Sequence, residues 1–359
     1  MEGVIKTMNY AEFKTYIEEN IKEVLPPKYA DSGIQINEVT KNNETLDGLT
    51  ILSPDSNISP TIYLNSFYED YQNGQDIDTI MNRIADARVE HEVSQNFDIN
   101  SITNWENVKD KLSARLLGTE ENSDLLANRP HQLMDDLAVT YCVLLGSDEQ
   151  GSASVPVTNQ LMDTWGVDQE TLHETALENI EVLTPSTFKS MTEVMSEMML
   201  PQMMEMTGGN EEAARAMLDE MLPPEEKMYV LSNESKLNGA TALLDEKIMD
   251  EIADRLGEDF FILPSSIHEV LIVPESAGMD IKDLEAMVQE VNATQVAPQD
   301  RLSDHVYKYD EVNREVVRAD KAEKSLQFTK ESLASDKKEK DAAEKDAPKT
   351  PTKNREQSI

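Results

Sequence analysis

The chain is short of cysteine, aromatic residues and positive charge. Cysteine occurs once, at Cys142, so no intramolecular disulfide can form. Aromatic residues make up 5% and hydrophobic residues 39% of the 359 positions, and 18 residues are methionine. A core with so few aromatic rings must consist mainly of Leu, Ile, Val and Met. Because Met is flexible, we expect such a core to be adaptable.

Long apolar runs are also absent. No stretch approaches the roughly 18 apolar residues that a membrane-spanning helix needs, and the first residues, MEGVIKTMNYAEF, lack the apolar centre of a signal peptide. Cys142 lies in the apolar run LAVTYCVLLG with no basic neighbour, which favours a buried, inert thiol over a nucleophile. These features predict a cytoplasmic protein that does not enter a membrane.

Over the whole chain, acidic residues outnumber basic residues by about two to one. Lys and Arg number 32 against 70 Asp and Glu, which gives a formal net charge of −38. Such a surface repels nucleic acid and anionic membrane, and attracts basic proteins or cations. High acidity also keeps an abundant protein soluble without any partner. We therefore expect no nucleic-acid ligand, and both a basic protein partner and simple solubility remain open.

The pattern of apolar residues predicts an α+β fold of mixed or antiparallel sheets covered by amphipathic helices. An N-terminal unit over residues 1–100 contains a helix from Tyr10 to Leu25, a hairpin and a helix capped by Asp76. A central unit over residues 101–185 contains a helix from Trp105 to Leu117 and a buried strand from Leu137 to Leu145. Residues 225–312 have the order strand, helix, strand, strand, helix.

Methionine is concentrated between these units, in residues 186–224. The pattern predicts one helix from Ser186 to Leu200, closed by Pro201, and a second helix capped by Asn210. Ten of the 18 methionines lie between Met191 and Met228. Because Met is over-used on surfaces that adapt to partners, we predict a partner-binding surface at Met191, Met195, Met198, Met199, Met217 and Met221. The alternative is that this apolar stripe is core.

The last segment, residues 313–359, is rich in Lys, Glu, Asp, Ala and Pro and has almost nothing to bury. Its apolar surface cannot offset the entropy lost on ordering. We predict a charged, mostly disordered tail.

Metal and cofactor signals are weak. The five histidines, at 91, 131, 173, 268 and 305, are isolated in sequence, and no H-x-x-x-H or C-x-x-C spacing occurs. Neither GATALL nor TGGNEEA has the spacing of a phosphate-binding loop. We expect neither a metal nor a cofactor.

The best catalytic candidates are Ser266 and His268 in PSSIHE, a hydroxyl and an imidazole that share one side of an extended chain. The alternative is a hairpin turn whose Ser residues bond the backbone. Four polar side chains at element ends are candidates for a ligand pocket, provided that they converge in space: Asn233, Asn238, Asn292 and Gln295. Their alternative role is to form turns and to end helices.

Several phrases resemble a known family over roughly residues 8 to 310. They are NYAEFKTYI, SPTIYLNSFYEDY, RIADAR, MYVLSN, LNGATALL, FFILPSSIHEVLIVPES and EVNATQVAPQDRLSDHVYKYD. The family comprises uncharacterised bacterial proteins of Gram-positive gut bacteria, often carried on integrative and conjugative elements. It is a domain of unknown function, so the resemblance implies no catalytic residue, cofactor or partner.

The sequence as a whole favours a non-enzymatic interaction protein of a mobile element. One alternative is a hydrolase-like enzyme that uses Ser266 and His268. Another is an acidic decoy that occupies DNA-binding proteins. The oligomeric state is open.

Overall fold

The computed structural model describes residues 8–53, 55–92, 97–148, 151–222, 227–310 and 313–322. Within them the fold is α+β, which confirms the predicted class, and the strands form three antiparallel sheets. None of the helices in these ranges has both the length and the apolar composition to cross a membrane.

The first sheet has three strands in the order β1-β2-β3. Its elements are α1 (Tyr10–Asn20), β1 (Ile34–Lys41), β2 (Glu44–Ile51), β3 (Thr61–Tyr63), α2 (Leu64–Gln72) and α3 (Ile77–Glu90). The predicted cap of α3 is confirmed, because the Asp76 side chain accepts a hydrogen bond from the Thr79 N–H. The helices and the sheet enclose an apolar cluster that includes Phe13, Leu49 and Ile84.

The second sheet has the order β4-β6-β5, and β7 pairs with β6. Its strands are β4 (Leu112–Gly118), β5 (Gln132–Met134), β6 (Leu137–Asp148) and β7 (Gly151–Pro156). The helices around it are α4 (Asn100–Thr103), α5 (Trp105–Val108), α6 (Ser123–Ala127), α7 (Asn159–Trp165), α8 (Gln169–Glu178) and α9 (Ile180–Leu183).

The predicted helix from Trp105 to Leu117 is wrong beyond Val108. Residues from Leu112 onward form β4, which pairs with β6 along its whole length. Most of this strand is buried on both faces. A strand buried on both faces is a continuous apolar run, and periodicity alone does not distinguish such a run from a buried helix.

The third sheet has six strands in the order β13-β12-β10-β11-β9-β8. The strands are β8 (Ser186–Ser190), β9 (Tyr229–Asn233), β10 (Phe260–Leu263), β11 (Val270–Pro274), β12 (Tyr307–Asp310) and β13 (Glu315–Arg318). The helices are α10 (Met191–Met206), α11 (Glu211–Met221), α12 (Glu246–Leu256) and α13 (Ile281–Thr294).

The predicted helix from Ser186 to Leu200 is wrong at both ends. Its first five residues form β8, an edge strand paired with β9. The helix starts at Met191 after a capping box of Ser190 and Glu193, and it continues through Pro201 to Met206. Proline removes one backbone hydrogen bond from a helix. The half of α10 that follows Pro201 is still helical, and it packs on α11.

The predicted tail starts too early. Residues 315–318 form β13, which pairs with β12 and extends the third sheet. The predicted disorder falls mainly on residues 323–359, which lie outside the described residues.

The main apolar core joins the second and third sheets, with Leu116 and Tyr141 from one and Leu231 and Phe260 from the other. The first sheet is attached to them by polar contacts. The Asn122 side chain donates to Asn43 Oδ1 at 2.7 Å, and Asn43 Nδ2 in turn donates to a carbonyl in the segment before β12. The three sheets therefore meet at the β1–β2 turn.

Cys142 is 4% exposed, on β6. Burial raises the pKa of its thiol, so the reactive thiolate is disfavoured. We expect Ellman's reagent to label Cys142 only as fast as the protein unfolds, and to label it at once in denaturant. Rapid, stoichiometric labelling in native buffer would contradict the buried position.

Candidate functional site

Helices α10 and α11 interrupt a β-hairpin. Ser190, at the end of β8, pairs with Tyr229, at the start of β9. One residue further on, the Met191 N–H donates to the Met228 carbonyl at 2.9 Å. The segment between Met191 and Met228 therefore leaves the sheet and returns to it at one point on the edge.

The two helices pack mainly on each other. Met203, Ala214 and Leu218 form a small buried cluster that is separate from the main core. The turn between the helices contains Gly208 and Gly209 at φ +66° and +85°, a conformation that favours glycine. Helices α10 and α11 are therefore a helical hairpin with its own apolar contacts.

The outer surface of this hairpin is rich in methionine. The exposed side chains and their exposed fractions are Met195 39%, Met198 73%, Met206 65%, Met217 39% and Met221 58%. Met191 and Met199, the other two predicted contact residues, are partly buried. Met206 is outside the six predicted contact residues, and it joins the exposed surface because α10 continues through Pro201.

The exposed methionines of α10 share one side of the helix. At about 100° per residue, Met195, Met198 and Met206 fall within a sector of about 80°. Leu200 and Met204, which pack toward α11, lie outside this sector. On α11, Met217 and Met221 are one turn apart. The methionines thus form stripes rather than scattered single residues.

Carboxylates surround these stripes. Residues 191–222 contain seven acidic side chains and one basic side chain, Arg215. Arg215 is paired with Glu211 at 2.8 Å, so its charge is already offset. The Ser190 backbone N–H holds the pKa of the Glu193 carboxyl below its usual value. The hairpin surface is therefore apolar and negatively charged.

Ser266 and His268 lie between β10 and β11. The His268 backbone N–H donates to Ser266 Oγ at 3.0 Å. In the ring, Nδ1 accepts from the Asn238 N–H at 3.2 Å, and Nε2 lies 3.3 Å from Asp300 Oδ1. The hydrogen bonds of the described residues therefore connect Ser266 to the backbone of His268 and not to its imidazole, and the hydrolase hypothesis stays a prediction.

The four predicted ligand-binding side chains are in different places. Asn233 is the last residue of β9 and Asn238 lies in the turn that follows, where Asn233 Nδ2 donates to the Leu237 carbonyl at 3.0 Å. Asn292, on α13, donates to Asp304 Oδ1 at 2.6 Å. Gln295 is exposed at the end of the same helix. The hydrogen bonds thus bring the first two together, whereas Asn292 on α13 is bound to the loop before β12.

A polar cluster that the sequence did not predict lies beside a cavity of about 240 Å³ at the junction of the three sheets. Asp136 accepts hydrogen bonds from His305 Nδ1, at 2.8 Å, and from the Tyr307 hydroxyl, and Arg318 Nη1 lies 3.7 Å away. Burial raises the pKa of the Tyr307 hydroxyl. Because a carboxylate accepts hydrogen bonds, the Nδ1 atom of His305 is the donor in its contact with Asp136.

His305 and Asp136 are separated by 169 residues, so no local pattern could have connected them. Among the residues that the structure describes, no group of three or more His, Cys, Asp or Glu side chains is arranged to hold a metal ion.

Comparison with known proteins covers most of this architecture. The family of unknown function DUF5688 matches residues 10–311. The chain belongs to this family. No curated protein and no solved structure matches the chain.

The DUF5688 match confirms the predicted resemblance to a domain of unknown function. It includes all three sheets except β13, together with the methionine hairpin and the Asp136–His305 pair. The matched range therefore spans the hairpin as well as the sheets on either side of it in the sequence.

Proposed function

We propose that this DUF5688 protein is a non-enzymatic interaction protein that binds a basic amphipathic helix of a partner through the methionine hairpin, α10 and α11. The observation that carries the proposal is the exposure of five methionines on a segment that leaves and returns at one point of the sheet. The proposal includes the cytoplasmic location and the mobile-element origin predicted from the sequence.

The chemistry of methionine supports a protein ligand. Exposed apolar residues are ordinary when they are scattered, but stripes of them mark surfaces that become covered. Met has a flexible, polarizable side chain that repacks around partners of different shape. A Met-rich surface therefore suits an apolar helix face better than it suits one rigid small molecule.

The charge of the hairpin supports a basic ligand. Seven carboxylates lie in the same segment as the methionines, and the one arginine is already paired. A helix with Leu on one side and Lys or Arg flanking it would cover the methionines and neutralise the carboxylates. We expect fast association that weakens steeply with salt, and no binding of DNA.

The first test replaces exposed methionine side chains with a short polar side chain. We expect the triple variant Met198→Ser, Met206→Ser, Met221→Ser to lose about 2 kcal/mol of binding free energy, or about thirtyfold in affinity. The probe is a synthetic peptide of about 18 Leu and Lys residues at helical spacing, and the measurement is isothermal titration calorimetry. Because the three side chains are exposed, the melting temperature should stay unchanged.

The matched control removes exposed apolar side chains elsewhere, with Leu133→Ser and Val182→Ser, which are 63% and 80% exposed in the parent chain. This pair should bind the peptide as the parent does. Equal loss in both variants would contradict the proposal, and so would equal binding of a peptide with the same composition in scrambled order.

A further inference from the structure

A second cavity, of about 500 Å³, lies between the second and third sheets. Its walls come from distant parts of the chain: Met134 on β5, Leu177 on α8, Met249 on α12, and Tyr309 and Val316 on β12 and β13. Met249 and Tyr309 are buried, whereas Met134, Leu177 and Val316 are partly buried. The cavity therefore has an apolar floor and a partly exposed apolar wall.

The size and position of this cavity are those of a small-molecule site. Ligand pockets in proteins typically occupy about 300 to 1,000 Å³, are lined mainly by apolar side chains, and occur where structural units meet. Here the lining residues come from both sheets. No residue of the methionine hairpin is among the lining residues, so this site is separate from the proposed partner surface.

The charged residues around the cavity determine which sign of charge a ligand should carry. Three carboxylates, on Glu246, Asp250 and Glu315, and one guanidinium, on Arg314, line it. Arg314 forms an ion pair with Asp250, which offsets its charge. The remaining two carboxylates, on Glu246 and Glu315, have no ion-pair partner among the described residues. The cavity is thus negatively charged as well as apolar.

We propose that this cavity binds a small amphiphilic amine. Its hydrocarbon part contacts Met249, Tyr309 and Val316, and its ammonium group is held by Glu246 and Glu315. Apolar contact supplies affinity, since each buried methylene group contributes favourably. The carboxylates supply selectivity, because they attract an ammonium and repel a carboxylate or a phosphate.

The test compares three eight-carbon probes on the full chain: octylammonium, octanol and octanoate. They share one hydrocarbon chain and differ in charge. We expect octylammonium to bind about tenfold more tightly than octanoate at low ionic strength, with octanol between them. Ligand-observed NMR titration measures the three affinities.

Two variants locate the site. In Glu246→Gln with Glu315→Gln, we expect the preference for octylammonium over octanoate to disappear while octanol binding is kept. The matched control is Glu251→Gln, which removes one exposed carboxylate from the same helix α12 and should change nothing. Val316→Trp fills part of the cavity and should weaken all three probes.

Three results would overturn the proposal. They are equal binding of octanoate and octylammonium, unchanged selectivity in the double Gln variant, and loss of octylammonium binding in the triple Met→Ser variant of the hairpin. The last result would place the amine on the methionine surface. If Val316→Trp fails to fold, as judged by its melting curve, the double Gln variant still decides.

Discussion

Gly239→Ala is expected to remove about 3 kcal/mol or more of folding free energy, the largest loss that we predict for a single substitution. A Cβ atom at this position would lie 2.1 Å from Ser232 Oγ, 2.4 Å from the His268 carbonyl oxygen and 2.8 Å from the Asn233 backbone nitrogen. The Ser232 hydroxyl donates to that same His268 carbonyl at 2.8 Å. The added methyl group would therefore press on a hydrogen bond that joins β9 to the loop before β11.

Urea denaturation followed by circular dichroism measures this loss. The control is Gly257→Ala, at the end of α12, where φ is +67° and an added Cβ would meet nothing within 4 Å. It should cost only the strain of the left-handed conformation, about 1 kcal/mol. If Gly239→Ala cost no more than Gly257→Ala, the close approach around residue 239 would be wrong.

The dipeptide Asn238-Gly239 shows what the sequence could predict. Asn-Gly usually marks a turn with positive φ, and Asn238 has φ +53°. Gly239 itself is required for another reason, namely the absence of a side chain against a neighbouring strand. The turn is a local property and was predicted, whereas the close approach depends on β9 and His268 and has no local signal.

The helices and strands also divide into those with a local sequence signal and those that depend on distant residues. Helix α3 was predicted because its apolar period and its Asp76 cap are both local. Strand β4 was missed because burial on both faces removes the alternation that identifies a strand. Strand β8 was missed because STFKS carries little apolar pattern, and its strand character comes from pairing with β9. For both missed strands, the local sequence does not contain the neighbouring strand and the packing on which the strand depends.

The candidate sites follow this rule as well. Composition alone identified the methionine-rich segment, since ten of 18 methionines lie close together in the sequence. It did not identify the Asp136–His305 pair, which forms only when β12 is placed near the β5–β6 turn. The cavity of about 500 Å³ likewise needs residues from two sheets. The methionine-rich segment is local and is visible in the sequence, whereas the two cavities are lined by residues from distant parts of the chain and have no local signal.

Deleting the hairpin is expected to abolish peptide binding and leave the remainder folded. Residues 192–227 are replaced by Asn-Gly, which keeps Met191 and Met228 as the closing pair of a two-residue β-turn. This deletion leaves β8 intact. The buried cluster of the hairpin is separate from the main core, so its removal opens no core cavity.

The remaining strands have contacts of their own. Phe188 on β8 stacks on Tyr229 on β9 with ring centroids 4.9 Å apart, and the Arg255 guanidinium lies over both rings. We therefore expect one cooperative melt within about 5 °C of the parent, together with loss of measurable binding to the Leu/Lys peptide. Aggregation or a non-cooperative melt would show that the methionines belong to the core. A folded variant that still binds the peptide would show that the partner surface lies elsewhere, and either result would end the interaction proposal.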